Sequence, residues 1–157
     1  MKKIWAPWRS SFIYDRSKKS CIFCDGRDSK NLRKNFILKK TKHSFSMLNI
    51  YPYNNGHVMV APKTHKPSLV KLTRDELTDL MLLVNETTKL LDKCLKPKGY
   101  NMGINIGKIA GAGFPGHVHI HIVPRWEGDT NFMPTISGTK VISESLDSLY
   151  KRLLKYA

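Results

Sequence analysis

The sequence predicts an α+β domain: an antiparallel sheet of about five strands, one long helix packed on it, and a shorter C-terminal helix. Three observations lead there. Segments with strand patterning recur along most of the chain, and the short connections between them favour antiparallel neighbours. One long run, residues 74–95, repeats its apolar residues at helical spacing. The segment GHVHIHIVPRW (116–126) alternates His117, His119 and His121 with Val118, Ile120 and Ile122, the two-residue period of a strand. With 157 residues, 41% of them hydrophobic, the chain can bury the core of a single domain spanning 1–157.

Residues 1–34 read as an irregular, basic N-terminal arm. It holds a CxxC, Cys21 and Cys24, and two tryptophans, Trp5 and Trp8, expected to pack rather than to stack on a base. NFILKK (35–40) and HSFSMLNI (43–50) read as the two strands of a hairpin. YPYNNG (51–56) is turn chemistry, and HVMVAP (57–62) is a third strand stopped by Pro62. Thr73 caps the long helix, Glu76 completes a capping box, and Leu72 and Leu77 are placed as a hydrophobic staple. Leu77, Leu80, Met81, Val84, Leu91 and Leu95 form its expected apolar stripe, Cys94 is a small core residue, and KPKG ends it. YNMGINIG (100–107) reads as a fourth strand whose glycines imply close approach to its backbone. The Gly-rich GKIAGAGFPG then leads into the histidine strand, and SESLDSLYKRLLKY (143–156) is the short helix.

No stretch reaches the roughly 18 consecutive apolar residues of a membrane span. The basic opening MKKIWAPWRSS lacks the apolar core of a signal peptide, and three cysteines do not make a disulfide framework. The expectation is a cytoplasmic protein with no membrane partner. Lys and Arg number 27 against 12 acidic residues, a net +15 that favours anionic partners or reflects a lysine-rich host. Nothing like an RNP sequence is present, so nucleic acid is not the expected partner.

Half of the six histidines share one strand face. They could be core or surface residues, ligands of a catalytic zinc, or nucleophilic catalysts. Glycines at 107, 111, 113 and 116 stand just before them, and glycine lets backbone N–H groups face an anion. A neutral imidazole attacks phosphorus readily, and a second one roughly 6–7 Å along the strand could serve the leaving oxygen. Cys21 and Cys24 read as half of a zinc site, a redox pair or two ordinary thiols, and His43 as a surface residue.

HVHIHIV matches the His–φ–His–φ–His–φ–φ signature of the histidine triad (HIT) superfamily of nucleotidyl hydrolases and transferases. LNIYPYNNGHVMVAPKTH (48–65) resembles its second motif, NIG and AGAG its phosphate loop, and VPRWEGDTNFMP its C-terminal segment. WAPWRSSFIYD followed by CIFC is similar to a bacterial branch related to diadenosine tetraphosphate phosphorylases. The resemblance implies a HIT-like fold and cleavage of dinucleoside polyphosphates, or related nucleoside phosphates, by hydrolysis or phosphorolysis. It implies that His119 forms a nucleotidyl-histidine, that His121 assists the leaving group and that His57 supports the triad. Asn49 would bind ribose hydroxyls, and Asn105 with the backbone of Gly111, Ala112, Gly113 and Gly116 would hold phosphate oxygens. This chain has GAGFPG where many members carry a polar residue just before the triad, so those contacts fall to main chain or to other residues. The likeness to galactose-1-phosphate uridylyltransferase implies a structural zinc on Cys21, Cys24, His65 and His117, with no organic cofactor. The resemblance to the HIT family also implies a homodimer formed by joining two sheets. The alternatives are a metallohydrolase with zinc on the triad itself, or a nucleic-acid-binding module.

Overall fold

Side-chain parity along the strands sorts this chain onto two unlike faces of one sheet. The computed structural model describes residues 20–130 and 141–157. Trp5, Trp8, the start of the arm and the end of the C-terminal motif lie outside the described residues. Strands β1 (Ile37–Lys40), β2 (Ser44–Leu48), β3 (Val58–Pro62), β4 (Gly99–Gly103) and β5 (Ile120–Arg125) form one antiparallel sheet in the order β1-β2-β3-β5-β4. The last strand among the described residues is thus inserted between β3 and β4.

One face carries Leu38, Leu48, Val58, Val60, Ile120 and Ile122 against helices α2 (Arg74–Leu95) and α3 (Leu146–Leu154). The other carries Ile37, Phe45, Met47, Met59 and Ala61 against Phe23. Ordinary alternation sends the adjacent Ile37 and Leu38 to different cores, and the pairing register shifts between Ile37 and Lys39.

The capping box of α2 forms: Glu76 N–H donates to Thr73 Oγ1 at 3.3 Å, and the Glu76 carboxylate accepts from Thr73 N–H at 2.7 Å. The helix ends on Lys96 in the left-handed region. Its buried stripe is Glu76, Leu80, Leu83, Val84, Thr87 and Leu91. Leu77 and Met81, expected in that stripe, face outward at 38% and 51% exposure, because Leu83 and Val84 turn the stripe away from them. On α3, Ser145 is the cap, Leu149, Tyr150 and Leu153 are buried, and the Tyr150 hydroxyl donates to the Ile37 carbonyl at 2.9 Å.

Three further expectations change. Part of the arm is a helix, α1 (Ile22–Asp28), too short for a helical repeat to show and held by the packing of Phe23. The fourth strand stops at Gly103, where a Cβ would meet nothing within 4 Å, so open space rather than close approach surrounds that glycine. Gly107 and Gly111 instead supply left-handed turns, at φ +85° and +86°. Finally, β5 begins only at Ile120, since Val118 N–H leaves the ladder and donates to the Lys66 carbonyl at 2.7 Å. Gly56, at φ +75°, marks the closest packing: a Cβ there would lie 2.5 Å from Leu95 Cδ1. Among the described residues no helix is long and apolar enough to cross a membrane.

Candidate active site

The histidines occupy the face opposite α2. His57 precedes β3 with the parity of Met59 and Ala61, and Met59 lies directly across from His121. His57 and His121 therefore meet diagonally, Nε2 to Nδ1 at 2.9 Å. His119 and His121 stand edge to face with centroids 4.8 Å apart, closer than the spacing of their Cα atoms along an extended chain. His57, His117 and His119 are buried and His121 is half-buried.

Backbone partners decide which ring nitrogens carry protons. Tyr53 N–H donates to His57 Nδ1 at 3.1 Å, and a backbone N–H can only donate, so that nitrogen holds a lone pair. Asn49 supports it: its Oδ1 accepts from Tyr51 N–H at 2.9 Å, which turns its Nδ2 toward His57 Nδ1 at 3.3 Å. Neutral His57 thus carries its proton on Nε2 and donates to His121 Nδ1, so neutral His121 carries its own on Nε2. His119 Nδ1–H donates to the His117 carbonyl at 2.9 Å, and among the described residues the Nε2 lone pair is uncommitted. Burial keeps the set neutral. It pushes His57 down to about 3, with His121 and His119 adding to the effect, and His121 down to about 4, with His119 adding. Burial also lowers His119, opposed by its bond to the His117 carbonyl.

The expected substrate-binding residues fall near this cluster with mixed availability. Buried Asn49 is tied to His57 and Tyr51. Asn105 is half-buried, and a Cβ on Gly111 would lie 3.9 Å from its Nδ2. The N–H groups of Gly111 and Ala112 are taken up inside the loop, by the carbonyls of Lys108 and Gly107. Those of Gly113 and Gly116 make no such bond among the described residues. Gly116 also makes room for His65, since a Cβ there would lie 3.0 Å from His65 Nε2. Gly103 pairs across the ladder with His121 and leaves the flank of that ring open.

Cys21, Cys24, His65 and His117 converge, with their donor atoms all within 4.8 Å of one another. Cys24 Sγ lies 3.3 Å from His65 Nδ1, and Cys21 Sγ lies 3.4 Å from His117 Nδ1. His117 Nε2–H donates to the Pro62 carbonyl at 2.8 Å, which turns its Nδ1 lone pair toward the thiols. Two sulfurs and two oriented imidazoles are the donor set of a closed zinc site, and the residues fit that metal.

Three participants escape sequence patterning. Tyr53 lays its ring 4.6 Å from that of His57 and 5.7 Å from that of His121. Phe23 touches His119. Glu76, legible only as a helix cap, also accepts from Thr64 Oγ1 and Lys66 Nζ, each at 2.8 Å, and so braces the segment carrying His65.

A histidine cluster on one face of a five-stranded antiparallel sheet, with the long helix behind, defines a histidine-triad domain. The chain belongs to that family: the HIT domain model matches residues 30–128. It is 32% identical over 158 residues to AP-4-A phosphorylase of Mycobacterium tuberculosis, covering 93% of this chain and 79% of that one. It is 39% identical over 93 residues to asymmetrical bis(5'-nucleosyl)-tetraphosphatase of Schizosaccharomyces pombe, covering 59% of this chain and 50% of that one. Among solved structures, a hypothetical histidine triad nucleotide-binding protein of Sulfolobus tokodaii superposes with a TM-score of 0.69 at 26% identity, over 87% of this chain and 91% of that one.

Proposed function

We propose that this chain is an enzyme that cleaves dinucleoside polyphosphates by nucleotidyl transfer through His119, in the cytoplasm and as a homodimer. The observation that carries the reading is the pairing of protonation states, an uncommitted Nε2 lone pair on His119 beside an Nε2–H on His121. The names of the two curated relatives supply the substrate class.

In the first step the His119 Nε2 lone pair forms a P–N bond to the α-phosphorus, and the bond to the bridging oxygen breaks with its electron pair leaving on the polyphosphate. The positive charge that develops on the His119 ring is met by the His117 carbonyl at Nδ1. The His121 Nε2–H donates a hydrogen bond to the departing oxygen, which needs no full protonation as part of a polyphosphate. His57 holds His121 in the required tautomer and is itself fixed by Tyr53 N–H. Asn49 would meet the ribose, and Asn105 with the N–H groups of Gly113 and Gly116 the phosphate oxygens. Water or inorganic phosphate then attacks the nucleotidyl-histidine and restores the lone pair.

Cys21, Cys24, His65 and His117 would hold a zinc ion, which supplies a cross-link between α1 and the approach to β5. The reading that puts zinc on the triad itself has less support, because His57 and His121 spend their facing nitrogens on each other.

Incubating the protein with diadenosine tetraphosphate, with and without phosphate, tests the function. AMP and ATP are expected from hydrolysis, and ADP in place of AMP from phosphorolysis; no cleavage under either condition would overturn the reading. Metal analysis should find about one zinc per chain, lost in the Cys21→Ser/Cys24→Ser double variant. Sedimentation should give twice the chain mass.

A further inference from the structure

Phe23 stands between the two cysteines of the CxxC, and its side chain is 0% exposed. Its ring lies 4.5 Å from that of His119, tilted by 32°, and 5.1 Å from that of His117, tilted by 41°. It also meets Phe114, in the Gly-rich loop, edge to face at 6.0 Å. One side chain, delivered by the short helix whose thiols make half of the metal-site donor set, therefore touches a metal-site histidine, the nucleophile and the loop before it.

The His119 ring needs such a support. Its one hydrogen bond among the described residues, from Nδ1 to the His117 carbonyl, fixes a single atom of the imidazole. A ring held at one nitrogen can still swing about that contact, carrying Nε2 off the line of attack. A flat neighbour at 4.5 Å removes that freedom, and His121 closes the other side edge-on at 4.8 Å. An aliphatic side chain would fill the same volume without offering a plane.

We propose that Phe23 is a positioning residue for nucleotidyl transfer: it holds the His119 imidazole with Nε2 aimed into the site, and it is itself held by the Cys21/Cys24 centre. The proposal rests on His119 being the nucleophile. It makes the state of the metal site felt at the reacting nitrogen through one aromatic contact rather than through the strand alone.

The test uses Phe23→Leu in the full-length, zinc-loaded protein, with Phe23→Met as a second variant should the first fail to keep its zinc. Single-turnover labelling of His119 from diadenosine tetraphosphate should slow about tenfold, the scale of a modest misalignment of reacting groups. KM should stay within about twofold, since ground-state contacts are intact. Long-range proton–nitrogen spectra of the imidazoles should show one His119 tautomer in the parent protein and a mixture in the variant. Zinc withdrawal should slow labelling of the parent protein but barely change that of Phe23→Leu, because the link is already cut. A variant with wild-type labelling rate and a single tautomer overturns the proposal, as does zinc withdrawal that slows both proteins equally. A parent protein that never labels His119 overturns the nucleotidyl reading itself, and the proposal with it.

Discussion

The two faces of the sheet are made by the same alternating strands and are stabilised in opposite ways. The face under α2 and α3 is aliphatic, built from residues such as Leu48, Val58, Leu80, Leu83, Ile122 and Leu153. Its attraction is non-directional and grows with buried area. The face toward α1 begins as an apolar core around Phe23 and Phe45, then gives way to His57, His119 and His121, each with a named hydrogen-bond partner. Burial works differently on the two: it stabilises leucine, whereas it strips histidine of its charge and makes each ring depend on a particular hydrogen-bonding neighbour. Substitutions on the first face should therefore change stability, and substitutions on the second should change rate.

The largest effect tests the second half of that contrast. His119→Ala should lower turnover of diadenosine tetraphosphate by at least about a thousandfold and abolish the nucleotidyl adduct on the 116–125 peptide, with little change in melting temperature. Retention of more than a few per cent of the rate would sink the covalent mechanism. Leu83→Ala, on the first face, should cost about 2–5 kcal/mol of stability while the folded fraction keeps its turnover. A rate loss beyond the unfolded fraction would show that the faces are coupled.

Acid sharpens the contrast. His57 is held at about 3 in the native protein, against a reference value near 6.5 in the unfolded chain. Between those values the unfolded chain binds more protons, so this contribution is complete above pH about 6.5 and falls away as pH drops toward the native value. The slope reaches roughly 1.4 kcal/mol per pH unit for one group. His57→Gln should flatten the fall of melting temperature between about pH 6.5 and 4.5; an unchanged profile would mean that His57 is not buried as a neutral ring. The smallest stability effect belongs to Gly103→Ala, expected within about 0.5 kcal/mol because the new Cβ meets nothing. Gly103→Leu should nevertheless raise KM, since the same space flanks His121. An unaltered KM would place substrate elsewhere.

Much of this was legible from patterning. The strands announce themselves by alternation, and the long helix by its apolar repeat and capping box, with bounds at 74 and 95 that the structure repeats. The four residues that the resemblance implies for zinc come together in space. Other features had no local signal. Helix α1 is a seven-residue element whose stability comes from tertiary packing, so no period could expose it. Leu77 and Met81 fit the helical repeat as well as Leu83 does, and only the sheet decides which flank is covered. The contacts of Phe23 with His119 and of Tyr53 with His57 and His121 join segments that hydrophobic spacing cannot relate.

The insertion of β5 between β3 and β4 has a consequence for how the molecule is made. Strands β1, β2 and β3 pair with their sequence neighbours, so the 37–62 meander can close through short loops. The slot beside it stays empty until a segment far along the chain arrives, and the contact between His57 and His121 spans 64 residues. Contacts of that range carry the larger loop-closure cost and are expected late. The His57–His121 contact therefore does not exist in a chain that has formed only its meander, and on the proposed mechanism competence to label His119 should appear during refolding no earlier than the last protected amides of β5. A chain assembled in this order offers no oriented histidine cluster before the sheet is finished.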